Sequence, residues 1–453
     1  MKTRVKSQAK AKAAEVMAGQ IWLGIFAGLF GALLGLALVK FGNPVIMEKL
    51  VDWPTNIYEW IFVPWPAVIG YWLLAGVATM GLLVARWQTG LPWALVLMPL
   101  AWLVWEVVAA TQTEAMRLTQ PTVIHFATCV VCFYLGLFSL SRVRRLWLFW
   151  AGLLAGFCLV IGSGLQQHFG GLAETRQYWL MYIYPTLKDI PPAFLKKMSS
   201  ERIFGTLFYP NALAGVILLL LPVTLAVVWS WRERLTSGAR RLLMGLVGAG
   251  ALGCLYWSGS KGGWLLLLVV GFVGVMFLPF KRQLKLMLVG GVLVLGLAGF
   301  FVKYAGFFKK GATSVVARFD YWEAALATVK EKPVFGTGPG TFGLAYAKRK
   351  RAESEMAQLT HNDYLQQASD SGVPGFLTFA AMIVGTLVYA WRNARLRENW
   401  VQLAVWLGLL GWAMHSLMEF GLYIPAIGWP AFAFMGWLLG QSRNQFDSQP
   451  TTR

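Results

Sequence analysis

One polar stretch of this chain, residues 360–375, carries side chains that can move protons and bind anions, although 57% of the chain is hydrophobic. It contains His361, one of four histidines, followed directly by Asn362, Asp363 and Tyr364. A glycine-rich turn, GTGPGTFG at residues 336–343, and four consecutive cations at residues 348–351 precede it. This arrangement predicts a site for an anionic substrate, with the Asn and Tyr side chains among the contacts.

His361 is the candidate for proton transfer. Thr360 and Asp363 have the spacing of a capping box, with Asp in place of Glu, which predicts that His361 lies in the first turn of a helix ending near Gly372. The positive end of a helix disfavours imidazolium, and a neutral imidazole can accept a proton as a general base. A histidine that only begins a helix at the membrane surface is the alternative, and the residues alone leave both interpretations open.

Three separate cations could bind the anion. Arg202 precedes the sixth predicted span, Lys261 lies in the short turn SGSKGG, and Arg318 begins an amphipathic helix. Guanidinium and ammonium groups bind diphosphate through charge-assisted hydrogen bonds. Each cation taken singly could instead contact lipid headgroups. Together, and with backbone N–H groups of the glycine-rich turn, they favour a phosphate-binding site.

Four more polar residues lie at or within predicted spans. His415 and Glu419 are one helical turn apart near the outer end of the eleventh span, where they either pair with each other or line a cavity. Asn211, directly after Pro210, is predicted to cap the sixth span. Glu106 is the one candidate for a deep acid, and surface pairing or a helix-end position would explain it as well.

Sequence motifs for metal ions and nucleotides are absent. The chain has no P-loop, no HExxH and no Cys and His spacing of the zinc type. Cys129 and Cys132 have CxxC spacing, but both fall inside an apolar run, which predicts packing. No Asp-x-Asp pair lies outside the predicted spans, which disfavours a metal-dependent glycosyltransferase. We therefore expect neither a metal nor a cofactor.

The elements that must position these residues are transmembrane helices. Mean hydropathy is +0.57 and only 13% of residues are charged, too few to cover a water-facing surface. The net charge of +20 would suit nucleic acid in a soluble protein, but in a membrane protein Lys and Arg fix the topology of loops. The sequence predicts an all-α polytopic protein with about twelve spans, at residues 20–40, 61–85, 91–110, 122–140, 146–165, 208–231, 241–257, 263–280, 284–302, 374–391, 400–418 and 425–441.

The distribution of cations predicts how the spans are oriented. Lys and Arg concentrate in the short loops on the side of the N-terminus, so both termini are expected in the cytoplasm. Residues 1–441 then form a single membrane domain, and residues 442–453 form a cytoplasmic tail. Two long loops face outside, at residues 166–204 and 303–372. The second lies between spans nine and ten and is too long for a bare connector, so we expect it to contain short helices and to be functional.

Within that second loop, residues 318–331 have the pattern of an amphipathic helix. Apolar side chains recur there at helical spacing on one face: Phe319, Trp322, Leu326 and Val329. Residues 303–351 carry ten cations against three acids. An excess of positive charge on the outer side runs against the topological rule, which favours a functional role for these cations.

Four segments together resemble the O-antigen ligase and O-antigen polymerase superfamily of bacterial inner-membrane proteins. They are RIFGTLFYPN from Arg202, SGSKGG from Ser258, RFDYWEAALATVKEKPVFGTGPGTFG from Arg318 and HNDYLQQASDSGVPG from His361. HSLMEFGLYIP from His415 is also similar to a segment of many members. The last two of the four, in tandem, are the specific signal, and the resemblance covers roughly the second half of the chain.

The resemblance implies a metal-independent glycosyltransferase of the GT-C type in the bacterial inner membrane. It would take a glycan from a polyprenyl-diphosphate carrier at the periplasmic face and join it to lipid A core or to another glycan. The family histidine corresponds to His361, as the base that activates the acceptor hydroxyl. The family cations that hold the diphosphate correspond to Arg202 and Lys261, where Lys replaces the usual Arg and loses its bidentate geometry. Arg318 also matches a family position.

Partners then include membrane lipids but no nucleic acid. Within the family, an O-antigen or exopolysaccharide polymerase and a protein O-oligosaccharyltransferase stay open, because acceptor choice depends on the shape of the cavity. A multi-span transporter of anions is the alternative from another class. It would show internal repeats and charges at mid-membrane depth. The halves of this chain show no repeat, and the polar residues cluster at one membrane face.

Overall fold

The computed structural model describes residues 2–87, 90–178, 181, 200–309, 313–351, 354–393 and 396–443. These residues form helices and connecting turns, without a strand among them, as the predicted all-α class requires. The α-helices are α1 (Lys2–Lys40), α2 (Ile57–Phe62), α3 (Ala67–Val84), α4 (Trp93–Ala110), α5 (Met116–Tyr134), α6 (Trp147–Gln166), α7 (Leu172–Tyr178), α8 (Pro210–Ser230), α9 (Ser237–Ser258), α10 (Lys261–Phe277), α11 (Arg282–Lys309), α12 (Thr313–Glu331), α13 (Phe342–Arg349), α14 (Asp363–Asn393), α15 (Trp400–His415) and α16 (Pro425–Arg443).

Nine helical segments among the described residues are long and apolar enough to cross a membrane. They lie in α1, α3, α4, α5, α6, α8, α9, α11 and α14, and the shorter α10 is also apolar. Each of the twelve predicted spans coincides with a helix, but α15 and α16 are outside the nine, so the total of twelve stays a prediction. Most of the outer loop predicted at 166–204, and the tail beyond Arg443, lie outside the described residues.

The second predicted span, 61–85, begins too early. Residues 57–62 form the separate short helix α2, which Asn56 caps by accepting a hydrogen bond of 3.0 Å from the backbone N–H of Glu59. The transmembrane helix α3 begins only at Ala67. Pro64 and Pro66 lie between the two helices, and each lacks the N–H that a continuous helix would need.

Paired glycines bring α1 and α6 into close contact. Gly31 and Gly35 on α1 face Gly152 and Gly156 on α6, and both pairs have GxxxG spacing. A Cβ added at Gly35 would lie 2.2 Å from the carbonyl oxygen of Gly152, and one added at Gly152 would lie 2.5 Å from the backbone nitrogen of Ala32. Close backbone approach supplies the van der Waals contact that holds helices together in lipid.

Gly152→Leu should therefore destabilise the bundle. We expect a loss of about 1–3 kcal/mol in the free energy of unfolding, because the new side chain forces the two backbones apart. The measurement is the melting temperature of the purified protein in detergent. Gly162→Leu on the same helix is the matched control, since an added Cβ there meets no atom within 4 Å. Equal melting temperatures for the two variants would contradict the close α1–α6 contact.

The helix α14 is broken at Gly372, which has φ +73° and ψ −177°. A Cβ at this position would also lie 2.0 Å from the carbonyl oxygen of Val334, so both conformation and space require glycine. The break separates the polar segment that begins at Asp363 from the apolar segment that follows. It coincides with the helix end predicted near Gly372.

The glycine-rich turn packs against this break and does not form a phosphate cradle. The N–H of Thr337 donates to the carbonyl of Ser369 (3.2 Å), and the N–H of Gly338 donates to the carbonyl of Asp370 (2.8 Å). The N–H of Gly340 donates to the Asp370 carboxyl group, also at 2.8 Å. The amides that were expected to bind phosphate are thus used inside the protein, and the glycines serve close packing instead.

Glu106 is buried in α4 beside the same break. Its Oε2 accepts a hydrogen bond of 2.5 Å from the hydroxyl of Ser371, and the neighbouring Trp105 indole donates to the Ser371 carbonyl at 2.8 Å. Neither surface pairing nor a helix-end position explains this acid. It satisfies polar groups that the break in α14 leaves unpaired within the bundle.

The predicted amphipathic helix exists but packs with a different face. It runs over Thr313–Glu331 as α12, and its buried residues are Tyr321, Ala324, Ala325 and Thr328. Of the predicted apolar face, Phe319 and Leu326 are 57% and 49% exposed, whereas Trp322 packs against the buried set. Small residues allow α12 to lie close to its neighbours, which hydrophobic periodicity alone did not indicate.

Candidate functional site

A polar cavity lies where the ends of several helices meet at one end of the bundle. The start of α8, the turn between α9 and α10, and the end of α15 form its walls, and α12 contributes one arginine. The polar or charged side chains that line it are Arg202, Asn211, Ser260, Lys261, Arg318, His415 and Glu419. We call this space the cation-lined cavity. It brings together the three cations that the sequence predicted.

Glu419 is the centre of the hydrogen-bond network at this cavity. Its Oε2 accepts hydrogen bonds from the Tyr209 hydroxyl (2.7 Å) and from Nδ1 of His361 (2.9 Å). Its Oε1 accepts from Nδ2 of Asn211 (2.6 Å) and from the guanidinium of Arg318. Burial would raise the pKa of this carboxyl group, but His361 and Arg318 outweigh burial and lower the pKa to about 2. Glu419 is therefore a carboxylate at neutral pH.

The expected pairing of His415 with Glu419 is wrong. No hydrogen bond joins them among the described residues, and the buried Nε2 of His415 has no partner there. Its ring instead packs against Gly215, where an added Cβ would lie 3.1 Å from Nδ1. His415 and Glu419 both line the cavity, the alternative that the sequence left open.

His361 lies directly before α14 rather than in its first turn. The capping residue is Asn362, whose Oδ1 accepts a hydrogen bond of 3.0 Å from the backbone N–H of Leu365, so the predicted capping box is wrong. His361 has φ +52° and is the one non-glycine residue with positive φ in the described part of the chain. Such a conformation is costly and persists where the surroundings impose it, often at functional sites.

Aromatic rings hold the imidazole of His361 in place. The Tyr321 ring stacks on it at 5.9 Å between centroids, and the rings of Phe420 and Tyr209 lie 4.8 and 6.4 Å away. Because Nδ1 is bound to Glu419, this pairing favours the tautomer with a lone pair on Nε2. Nε2 itself makes no hydrogen bond to any described residue. The arrangement can accept a proton at Nε2 and stabilise the resulting imidazolium with a carboxylate.

Arg202 and Lys261 both border the short turn between α9 and α10. Arg202 donates from Nε to the carbonyl of Ser258 (2.6 Å) and from Nη2 to Oδ1 of Asn211 (2.8 Å). Lys261 is the first residue of α10, and Ser260 caps that helix by accepting from the N–H of Gly263 at 3.3 Å. The N-terminus of α10 thus borders the cavity, and helix N-termini favour bound anions.

Asn211 has a different role from the one predicted. The residue before α8 is Tyr209, and no side chain caps this helix. The Asn211 side chain instead accepts from Arg202 and donates to Glu419, so it connects the cations to the carboxylate. Glu419, Asn211 and Tyr209 are the site residues that the sequence did not identify as a group. The one sequence feature that indicated this group was the acid Glu419 at the outer end of a predicted span.

Two of the six predicted site residues lie away from the cavity. Asn362 is the cap of α14, as described above. The Tyr364 hydroxyl donates to the carbonyl of Ala413 (3.1 Å), and its ring packs on Phe379 at 5.5 Å between centroids. Both therefore make contacts within the protein rather than at the cavity. Arg202, Lys261 and Arg318 line the cavity, and His361 is joined to it through its hydrogen bond to Glu419.

Comparisons with known proteins match a part of the chain that contributes to this site. Residues 247–380 match the family model described as O-antigen ligase, a segment that contains Lys261, Arg318 and His361. An uncharacterized protein of Haemophilus influenzae is 28% identical over a stretch that covers 30% of this chain and 40% of that protein. Over residues 247–380, this helical protein is therefore similar to the O-antigen ligase family.

Proposed function

We propose that this protein transfers a glycan from a polyprenyl-diphosphate carrier to an acceptor hydroxyl, as an O-antigen ligase acting on lipid A core. The observation that carries the proposal is the contact between Glu419 and His361 at the edge of a cavity lined by cations. A leaving diphosphate needs positive charge, and an acceptor hydroxyl needs a base. These two requirements are met within one network of side chains.

In the proposed reaction, the acceptor oxygen attacks the anomeric carbon of the donor sugar. The bond from that carbon to the phosphate oxygen breaks, and the diphosphate leaves with the electron pair. Arg202, Lys261 and the N-terminus of α10 stabilise its negative charge. Nε2 of His361 takes the proton from the attacking hydroxyl, and Glu419 stabilises the imidazolium that forms. The proton then returns to solvent or to the departing diphosphate.

The predicted orientation puts this chemistry at the periplasmic face. Spans six, eight and ten begin on the outer side in the twelve-span arrangement, and span eleven ends there. The cavity is lined by residues from these same ends: Arg202 and Asn211 near the start of α8, Lys261 at the start of α10 and Glu419 after α15. His361, before α14, is hydrogen-bonded to Glu419. We infer that residues 303–372 form the periplasmic loop and that both termini are cytoplasmic.

Arg202→Gln should weaken donor binding. Each charge-assisted hydrogen bond to the diphosphate contributes about 1.5–3 kcal/mol, so we expect the donor Kd to rise about 10- to 100-fold. Lys261→Arg should retain activity, because Arg keeps the charge and adds bidentate geometry. Donor binding is measured on purified protein in nanodiscs, with the exposed Arg117→Gln as the matched control. A wild-type Kd in Arg202→Gln would remove this residue from the site.

Reconstitution with defined acceptors tests the function itself. Purified protein in liposomes receives a carrier-linked glycan together with lipid A core glycolipid, or the carrier-linked glycan alone. A ligase makes glycosylated lipid A core in the first mixture. In the second mixture, it does not extend the carrier-linked glycan. Extension of the carrier-linked glycan in the second mixture would support the polymerase instead. Without any new glycosidic bond in either mixture, the proposed function would be wrong.

A further inference from the structure

A second cavity lies beside Tyr346, whose ring contacts Tyr321, and it is distinct from the cation-lined cavity. It has a volume of about 180 Å³. Asp320, Glu323 and Ala327 line it from α12, because residues three and four apart share one side of a helix. Residues 349–351, at the end of α13 and directly after it, line it together with Ser354.

Two ring contacts connect this second cavity to His361. The Tyr321 ring stacks on the imidazole at 5.9 Å between centroids and meets the Tyr346 ring edge-on at 5.2 Å. Tyr346 is itself part of the cavity wall. α12 also borders both spaces, since Arg318 lines the cation-lined cavity and Asp320 lines the second one. A ligand in the second cavity would therefore be separated from His361 by the rings of Tyr346 and Tyr321.

The lining combines both signs of charge, and several of its groups have structural partners. Asp320 accepts a hydrogen bond of 2.9 Å from the Ser354 hydroxyl. Arg349 is paired with Glu331, and the Lys350 ammonium donates to the carbonyl of Ser354 at 3.2 Å. The side chains of Glu323 and Arg351 form no hydrogen bond or ion pair with any other described residue. They are the groups that a ligand could engage without breaking an existing contact.

We propose that the second cavity binds the acceptor, through a sugar that carries a phosphate or a carboxylate. The carboxylates of Asp320 and Glu323 accept hydrogen bonds from sugar hydroxyls, and Arg351 binds the anionic substituent. This assignment rests on the proposed transfer, in which an acceptor must bind near His361 while the donor diphosphate fills the other cavity. Donor and acceptor would then occupy separate cavities near the base.

Direct binding tests this assignment without requiring turnover. The probe is core oligosaccharide released from lipid A core glycolipid, used untreated, dephosphorylated or carboxyl-reduced, on purified protein in nanodiscs. Arg351→Glu should weaken binding of the untreated probe by about tenfold or more, since one charge-assisted contact is lost and repulsion is added. The probe that lacks the recognised anionic group should bind wild-type protein as weakly as the untreated probe binds Arg351→Glu. Its affinity for Arg351→Glu should be no lower than its affinity for wild-type protein. Which treatment has this effect distinguishes phosphate from carboxylate.

Lys330→Glu is the matched control, because Lys330 is an exposed cation on α12 outside the cavity. Asp320→Asn should also weaken probe binding, while donor Kd stays unchanged in both cavity variants. Wild-type probe affinity in Arg351→Glu and Asp320→Asn, or no binding of the probe to wild-type protein, would overturn the assignment. Intact probe binding without glycan transfer would instead support the acceptor cavity and refute the proposed transferase.

Discussion

His361→Gly is expected to lower the rate of glycan transfer by about 10²–10⁴-fold, the range that a positioned general base contributes. Glycine is the suitable replacement, because residue 361 has φ +52° and glycine adopts this conformation without strain. The substitution therefore removes the imidazole while the backbone before α14 keeps its course. The measurement is single-turnover transfer by purified protein in liposomes.

Added imidazole provides the control for this prediction. If His361 is the base, free imidazole should restore part of the rate in His361→Gly and have no effect on wild-type protein. His361→Asn, which also tolerates positive φ, should be nearly inactive and should not respond to imidazole in the same way. Near wild-type transfer by both variants, with unchanged donor binding, would show that His361 has only a structural role.

Glu419→Gln should cause the second largest loss, about 10²-fold or more in the rate of transfer. The neutral amide cannot stabilise an imidazolium. Its NH₂ group also cannot accept a hydrogen bond, so at least one of the four donors that now bond to Glu419 loses its acceptor. Those donors belong to Tyr209, Asn211, Arg318 and His361. Glu419→Asp should recover part of the activity, because it restores the charge.

Two controls separate this catalytic effect from a loss of fold. Glu114→Gln removes a surface carboxylate that pairs with Lys332 and Lys348, and it should leave transfer unchanged.

The pH dependence of stability is the second control. In wild-type protein, the pKa of Glu419 is lowered to about 2, from about 4.3 in the unfolded chain. The stability that this gives is fully present above the unfolded pKa and is lost as pH falls toward 2. The Gln variant should lose this part of the pH dependence of stability. A wild-type transfer rate in Glu419→Gln would exclude Glu419 from the mechanism.

The helices were largely predictable from the sequence. Each apolar run of about 20 residues coincides with a helix, because burial in lipid requires internally bonded backbone. The exception is the start of the second span, where Pro64 and Pro66 divide a continuous apolar run. The GxxxG pairs in α1 and α6 could also have predicted the contact between these two helices, but the sequence analysis did not include them.

The site was only partly predictable, because its connections join distant segments. Glu419 is 58 residues from His361 and 101 residues from Arg318, so no local pattern could pair them. Asn211 has the sequence context of a helix cap, yet tertiary contacts direct its side chain to Arg202 and Glu419.

The glycine-rich turn illustrates the same limit. Glycine at residues 336, 338 and 340 satisfies positive φ whether the turn binds phosphate or packs on a helix break. Only the position of Asp370 distinguishes the two cases, since its carboxyl and carbonyl oxygens accept the amide hydrogens of the turn. The local sequence therefore predicted a turn at these glycines correctly, but it predicted phosphate binding where the turn packs against the break in α14.

A structure of the inactive His361→Gly protein with carrier-linked glycan bound would test the central claim most directly. We expect density for the diphosphate between Arg202, Lys261 and the N-terminus of α10, with the anomeric carbon facing the space that Nε2 of His361 occupies in the wild-type protein. A diphosphate bound elsewhere, or a sugar directed away from residue 361, would contradict it.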